Sequence, residues 1–218
     1  MEITVIPVTP FAQNCAILAC EKTREAVVTD PGGDLERIED ELRRQGLKAV
    51  RVLLTHGHLD HCAGARELAT RLHVPIEGPQ EADRFWIDQL PGSARQFGFP
   101  PAQSFTPDRW LHDGDTVSFG AQTLQVLHCP GHTPGHVVFY NPADKVAIVG
   151  DVLFAGSIGR TDFPRGNHAD LIGSIRNKLW PLGDDVTFLP GHGPASTFGA
   201  ERRSNPYVGD LALARGSP

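Results

Sequence analysis

The chain has 218 residues, of which 40% are hydrophobic and 21% charged, which suits a soluble protein with a sizeable buried core. The net charge of −6 argues against nucleic acid or an anionic membrane as the main partner, since either would require a basic surface. No apolar run approaches the roughly 20 residues that span a bilayer, and no signal-like segment opens the chain, so we expect a cytoplasmic protein. Four cysteines match no CxxC zinc pattern and are expected to be reduced thiols.

Extended and helical signals alternate along the first third of the chain. Runs rich in Val and Ile predict short strands at 3–8, 15–20 and 25–29. Asp34 is the predicted N-cap of an amphipathic helix that ends at Gly46. A continuous apolar strand at 50–54 then leads directly to His56, and a helix is predicted over about 60–72.

The stretch 75–110 differs in composition from the rest of the chain, because it holds six of the 18 prolines and several aromatic residues. We expect helical pieces joined by irregular loops there, with the aromatic rings in the core of this covering segment, where they could also line a substrate site. Further strands are predicted at 116–119, 123–127, 136–140, 146–149 and 186–189. A helix around 171–179 precedes the last strand, and the tail from Phe198 should contain a short helix. Strand-rich halves with helices outside them predict an α/β sandwich with functional side chains at strand ends.

The sharpest signal is the motif His56-x-His58-x-Asp60-His61, which follows directly after a predicted strand. Residues 56 and 58 project to one side of the turn that Gly57 permits, and Asp60 and His61 enter the next helix from the opposite wall. Imidazole nitrogens and a carboxylate without a thiol suit Zn²⁺, Fe²⁺ or Mn²⁺. The motif therefore predicts a metal site.

Three more ligand candidates follow a glycine at the end of a predicted strand, namely His132, Asp151 and His192. A carboxylate that ends a buried strand is costly unless it has a partner, which favours a site role for Asp151. We expect structural or supporting roles for the neighbouring polar residues Asp30, Cys62, His128, Cys129 and His136.

These four motifs, in this order, resemble the metallo-β-lactamase superfamily, and the resemblance covers essentially the whole chain as one domain, 1–218. It implies an αββα sandwich, in which two mixed β-sheets are flanked by helices. It also implies two divalent metal ions, either zinc or mixtures of iron and manganese, with a hydroxide between them as the nucleophile and Asp60 and Asp151 as catalytic residues. The implied ligands are His56, His58 and His132 for the first ion, Asp60, His61 and His192 for the second, and Asp151 as the bridge.

The segment 150–164 resembles the glyoxalase II group, which hydrolyses S-D-lactoylglutathione, and the tail is similar to the short YcbL-type bacterial proteins. The resemblance implies a glutathione thioester as the substrate. Arg160 and Asp162 fall where the long glyoxalase II enzymes carry a lysine and a tyrosine that hold glutathione. β-Lactamases of this fold usually have a cysteine near the position of Asp151, and its absence here argues against antibiotic hydrolysis.

Two alternatives stay open on the sequence alone. A persulfide dioxygenase of the same fold would use one iron on His56, His132 and Asp151, a two-histidine, one-carboxylate triad. The Ser157-Ile158 pair, Pro164 and the tail favour the hydrolase. Arg160 could hold a substrate carboxylate or form a structural ion pair with Asp162.

Overall fold

Two β-sheets form the centre of the molecule. The computed structural model describes residues 1–214, so the last four residues of the domain predicted over 1–218 lie outside the described residues. The first sheet has the order β1-β2-β3-β4-β5, formed by Glu2–Val8, Gln13–Ala19, Glu25–Thr29, Lys48–Leu53 and Ile76–Glu77. The strands β6 to β9 are Thr116–Phe119, Gln122–His128, Val137–Asn141 and Val146–Gly150, and β12 and β13 are Thr187–Pro190 and Ser196–Thr197. They form the second sheet in the order β13-β12-β9-β8-β7-β6, and β10 and β11, Leu153–Phe154 and Ser157–Ile158, form a separate hairpin.

Helices cover the outer face of each sheet. The helices α1 to α5 are Leu35–Gln45, Leu59–Cys62, Ala65–Leu72, Arg84–Asp88 and Leu90–Phe97. The helices α6 to α8 are His168–Ser174, Phe198–Ser204 and Asp210–Ala214, and α6 continues as a π-helical turn over Ile175–Leu179 and a 3₁₀ turn over Trp180–Leu182. No helix in the described part of the chain is both long and apolar enough to cross a membrane.

The apolar core has three layers, which alternate with the two sheets. In β2, Cys15 and Ile17 pack on α1 and α3, while Ala16 and Leu18 face the second sheet. This alternation follows from the two-residue period of a strand, and it makes β2 apolar on both faces. A third cluster packs β8, β9 and β12 against α6 and α7. The layers confirm the αββα sandwich of two mixed sheets in a single domain.

The direction of the strands brings the predicted site segments to one edge. In the second sheet β9 and β12 are parallel, and β7 and β9 are both antiparallel to β8, so β7, β9 and β12 run the same way. The loops after these three strands carry His132, Asp151 and His192. The loop after β4 joins them from the first sheet, because Thr55 O accepts a hydrogen bond of 2.8 Å from Val137 N.

Most predicted elements are present, with ends that differ by no more than three residues, but two local details differ from the prediction. Asp34 and Gly46 flank helix α1 as predicted, but Asp34 has a left-handed backbone and makes no side-chain cap, because its carboxylate accepts a hydrogen bond from Thr9 N at 2.8 Å instead. The helix expected over 60–72 is divided into α2 and α3, because Gly64 N donates to Pro31 O rather than continuing the helical ladder. All four cysteines are free, as expected.

The loop after β3 packs tightly against helix α2 at Gly32, and substitution of this glycine tests that contact. A Cβ atom at position 32 would lie 1.6 Å from Asp60 O, so we expect Gly32→Ala to lower the free energy of unfolding by at least about 2 kcal/mol, through overpacking. Gly92, exposed within α5, has no atom within 4 Å of such a Cβ, and Gly92→Ala should leave stability unchanged or raise it. Urea unfolding measures both variants. Equal stability of the two would contradict the packing described here.

Candidate metal centre

Three histidines from two loops converge on one point. The Nε2 atoms of His56 and His132 lie 3.1 Å and 3.0 Å from Nδ1 of His58. Ligand nitrogens on a tetrahedral zinc ion, each about 2.05 Å from it, are separated by about 3.3 Å. The three side chains are largely buried and their ring nitrogens lie within 4.8 Å of one another. This first group could hold a metal ion.

A second group lies beside the first. It consists of Asp60, His61 and His192, whose ligand-type atoms also lie within 4.8 Å of one another. The Oδ2 atom of Asp60 is 3.1 Å from Nε2 of His192 and 3.8 Å from Nε2 of His61. Two imidazoles and a carboxylate form a donor set that suits a divalent transition metal.

The carboxylate of Asp151 lies between the two groups. Its Oδ1 is 3.4 Å from Nε2 of His61, and its Oδ2 is 3.6 Å from Nε2 of His132 and 3.7 Å from Nε2 of His192. Oδ1 of Asp151 and Nε2 of His61 are buried and have no hydrogen-bond partner among the described residues. Buried polar atoms normally find partners, and a cation between these atoms would satisfy both. The seven side chains therefore fit a pair of metal ions.

Hydrogen bonds behind the histidines fix the direction of their rings. The Nδ1 atom of His61 lies 3.0 Å from Oδ2 of Asp30, whose carboxylate also accepts hydrogen bonds from the amide and hydroxyl of Thr55. Nδ1 of His132 lies 2.8 Å from Arg160 O, and Nδ1 of His192 lies 3.2 Å from Phe11 O. With Nδ1 occupied, Nε2 of each ring faces the centre, which is the arrangement that orients metal-binding histidines.

Two of the expected supporting residues also contact the site. Asp30 accepts a hydrogen bond from His61, as predicted for a supporting acceptor. His136 accepts a hydrogen bond of 3.0 Å from Asp151 N, and its ring stacks on His56 with 4.7 Å between centroids. By contrast, His128 contacts Pro134 O. Cys62 and Cys129 are fully buried, and burial raises the pKa of both thiols, so they pack in the core.

The electrostatics differ between the two histidine groups. Burial, and then the neighbouring His132, lowers the pKa of His58 to about 3, and burial also lowers the pKa of His56, so both rings are neutral at neutral pH. Burial lowers the pKa of His61 too, but the charges of Asp151 and Asp60 outweigh it and raise that pKa well above its ordinary value. Burial also lowers the pKa of His192, but the hydrogen bond with Asp60 has the larger effect, so the pKa of His192 is raised.

A cavity of about 710 Å³ opens onto the centre. Its floor contains His58, Asp60, His132, Asp151 and His192, and its walls are mainly apolar, with Phe11, Trp86, Leu90, Phe97, Phe154 and Phe163 among them. The rings of Trp86 and Phe163 lie edge-on to His58, with centroids 4.5 Å and 4.8 Å away. A pocket with apolar walls and a polar floor is typical of sites for small organic ligands.

The aromatic residues of the 75–110 stretch are divided between two environments. Phe99 lies in the core, as expected, but Trp86 and Phe97 line the cavity. The sequence shows that these residues are apolar, but it does not show on which side of the short helices they fall. The sequence analysis also did not predict a role for Gln13, whose Nε2 lies 3.4 Å from Nδ1 of His61. No motif near Gln13 indicated that contact.

Arg160 and Asp162 form an exposed ion pair at the rim of the cavity. Nε and Nη2 of Arg160 donate to the two oxygens of Asp162 at 2.9 Å and 2.8 Å, and the guanidinium stacks 4.6 Å from the ring of Phe163. Of the two charged residues, Arg160 lines the cavity, whereas Asp162 lies outside its lining. The ion pair considered in the sequence analysis is thus present, and a substrate carboxylate would have to compete with Asp162.

The fold and the donor set define the class, an αββα protein with a centre for divalent metals. The sequence model of the metallo-beta-lactamase superfamily matches residues 8–192. Hydroxyacylglutathione hydrolase GloC of Haemophilus influenzae is 46% identical over 209 residues, which cover 95% of this chain and 98% of that protein. The chain therefore belongs to the metallo-beta-lactamase superfamily, and it is a metal-dependent hydrolase of that superfamily.

Solved structures agree with this membership. A crystal structure of the BLEG-1 B3 metallo-beta-lactamase is similar with a TM-score of 0.87 and 37% identity, over 94% of this chain and 98% of the other. A crystal structure of TTHA1623 in a di-iron-bound form is similar with a TM-score of 0.84 and 33% identity, over 93% of this chain and 98% of the other. A similar fold thus occurs both in a protein named as a B3 metallo-beta-lactamase and in a protein with two bound iron ions.

The two histidine groups should differ in how metal binding depends on pH. Between pH 8 and pH 6, affinity at the group of Asp60, His61 and His192 should fall by up to about tenfold per pH unit for each displaced proton, because its histidines have raised pKa values. Affinity at the first group should change little, because His56 and His58 hold no proton in this range. Competitive zinc titration of metal-free protein at pH 6, 7 and 8 measures this. His192→Ala should lack the pH-dependent step, and equal slopes for both steps would contradict the assignment.

Proposed function

We propose that the protein hydrolyses a glutathione thioester of the S-D-lactoylglutathione kind, giving a hydroxy acid and glutathione. The observation that carries this proposal is the position of Asp151, on the floor of the cavity and between two groups of metal-ligand type. Support also comes from the 46% identity to a hydroxyacylglutathione hydrolase over nearly the full length of both chains.

Seven side chains form the proposed ligand set. His56, His58 and His132 would hold the first ion, Asp60, His61 and His192 the second, and Asp151 would contact both. Zinc, or iron and manganese in mixtures, suits these nitrogen and oxygen donors. Two divalent ions, when bound, supply Lewis acidity that polarises a thioester carbonyl and lowers the pKa of water.

The side chains around the floor then have separate tasks. Asp60 and Asp151 are the proposed catalytic residues, since both carboxylates line the cavity where water must lose a proton. Trp86 and Phe163 exclude bulk water from the first group by covering His58. The leaving group is a thiolate, whose ordinary pKa of about 8.5 makes a general acid unnecessary.

The rival is a persulfide dioxygenase with one iron on His56, His132 and Asp151. That assignment leaves the second group without a task. Oδ2 of Asp60 lies 3.1 Å from Nε2 of His192, and Nε2 of His61 has no hydrogen-bond partner among the residues that the structure describes. Both observations favour a second cation, and with it the hydrolase. The two functions also differ in their need for oxygen.

Replacement of Asp60 tests the hydrolase directly. Asp60→Ala removes an anionic donor from the second group, so we expect it to retain about one metal ion per chain and to lose at least about 100-fold in thioester hydrolysis. Wild-type protein should bind two ions per chain and hydrolyse S-D-lactoylglutathione at the same rate under nitrogen and in air. Elemental analysis and release of free thiol measure these quantities.

Three results would contradict the proposal. One iron per chain with oxygen consumption on glutathione persulfide would identify the dioxygenase. Turnover of a chromogenic β-lactam above that of the thioester would indicate an activity of the kind named for the BLEG-1 relative. Unchanged hydrolysis by Asp60→Ala would exclude Asp60 from the catalytic machinery.

Arg160 tests how the glutathione part is held. If its guanidinium binds a substrate carboxylate, Arg160→Ala should raise KM roughly fivefold with little change in kcat, the scale of a solvent-exposed charge pair. The matched control is Asp162→Asn, which keeps the guanidinium and frees it from its bidentate partner. This control should not raise KM. An equal rise in KM for both variants would instead assign the ion pair to the shape of the loop.

A further inference from the structure

Asp83 is a buried carboxylate outside the seven residues of the centre. It ends a 3₁₀ turn over Glu81–Asp83, directly before α4, and its side chain is fully buried. Within the described part of the chain it has no salt-bridge partner, and its oxygens accept three hydrogen bonds. Gly57 N and Thr133 Oγ1 donate to Oδ2 at 2.9 Å and 2.7 Å, and Gly135 N donates to Oδ1 at 2.6 Å.

The three donors belong to two separate loops of the first metal group. Gly57 lies between His56 and His58, in the loop after β4 of the first sheet. Thr133 follows His132 directly, in the loop after β7 of the second sheet, and Gly135 lies two residues further on. One carboxylate therefore joins the histidine loops of both sheets.

The backbone around Asp83 is packed closely against the first of these loops. A Cβ atom at position 57 would lie 3.0 Å from Asp83 O and 2.8 Å from Cβ of Trp86, so the loop fits only with glycine there. The other loop is held by a hydrogen bond of 2.9 Å from Gln80 N to Gly135 O. The contact is therefore tight on both sides of the carboxylate.

The charge of Asp83 is consistent with these contacts. Burial raises its pKa to about 6, while the hydroxyl of Thr133 and the two amides favour the ionised form, so the carboxylate is charged at neutral pH. Hydrogen bonds to a charged acceptor are roughly twice as strong as those between neutral groups. Their loss would leave two buried amides without a partner.

We propose that Asp83 is a positioning residue for the first metal group, which fixes the separation between His132 and the pair His56 and His58. The second group has different supports, namely Asp30 behind His61 and Phe11 O behind His192. The effect of Asp83 should therefore fall on the first group. This inference rests on the ligand set of the proposed function, but it does not depend on the thioester, because metal binding is measured without substrate.

The test is zinc titration of metal-free protein against a chelating indicator at pH 7.5. His132→Ala and His192→Ala identify the steps of the first and second groups. Asp83→Asn replaces one acceptor oxygen by an NH2 group, which cannot accept, and we expect it to weaken the first step by about 10- to 100-fold and the second by less than about threefold. Thr133→Val removes one of the three donors and should weaken the first step by a smaller factor.

Glu201 provides a matched control for the loss of a buried charge. It is also a buried carboxylate with three hydrogen bonds, from Gly156 N, Ser196 Oγ and Asn205 Nδ2, and none of these donors lies in the two loops that Asp83 joins. Glu201→Gln should lower the thermal stability of the metal-free protein without a selective loss at the first step. Thermal unfolding of every metal-free variant separates general destabilisation from the effect on metal affinity.

The outcomes separate this inference from the proposed function. Unchanged affinity in Asp83→Asn, or equal weakening of both steps, would overturn the positioning role. If Asp83→Asn does not fold, a selective loss at the first step in Thr133→Val supports the role and an unselective one refutes it. If wild-type protein has no step that His132→Ala removes, both the ligand set and the inference are wrong.

Discussion

A buried negative charge between two groups of histidines is the constraint on which the rest of the centre depends. Asp151 is 8% exposed, and an isolated carboxylate at that depth would be costly, so it needs positive charge or hydrogen-bond donors nearby. His61 and His132 lie within 3.6 Å of its oxygens, and His136 holds its backbone amide from behind. The raised pKa of His61 and the lowered pKa of Asp151 are two results of the same interaction.

The packing of the two sheets makes that arrangement possible. The shared core layer, with Leu18 and Phe139 from opposite sheets, holds the strand ends together at one edge. At that edge Asn14 N donates to Gly191 O at 2.7 Å, and a further cross-sheet hydrogen bond follows β4. Ligands at the ends of rigid strands keep their separation better than ligands on free loops. The sandwich is thus a means of positioning side chains that are far apart in sequence.

The fold of this chain is shared with relatives of different named activities. A hydroxyacylglutathione hydrolase and a B3 metallo-beta-lactamase are both similar to it over nearly their full length, so the fold alone does not decide the substrate. The walls combine aromatic rings such as Trp86 and Phe163 with the cation of Arg160 at the rim.

The sequence by itself determined the sandwich and the members of the centre, because both depend on short-range patterns. Short apolar runs bounded by polar or turn residues mark strands such as β2 and β8. A ligand residue that follows a strand and a glycine is also a local feature, as at His132 and His192. Only the tertiary structure decided the division of the helix after His61, the cavity walls and the role of Asp83. Each of these depends on contacts between residues far apart in the sequence, such as Gly64 with Pro31 and Asp83 with Thr133, and no local pattern encodes such contacts.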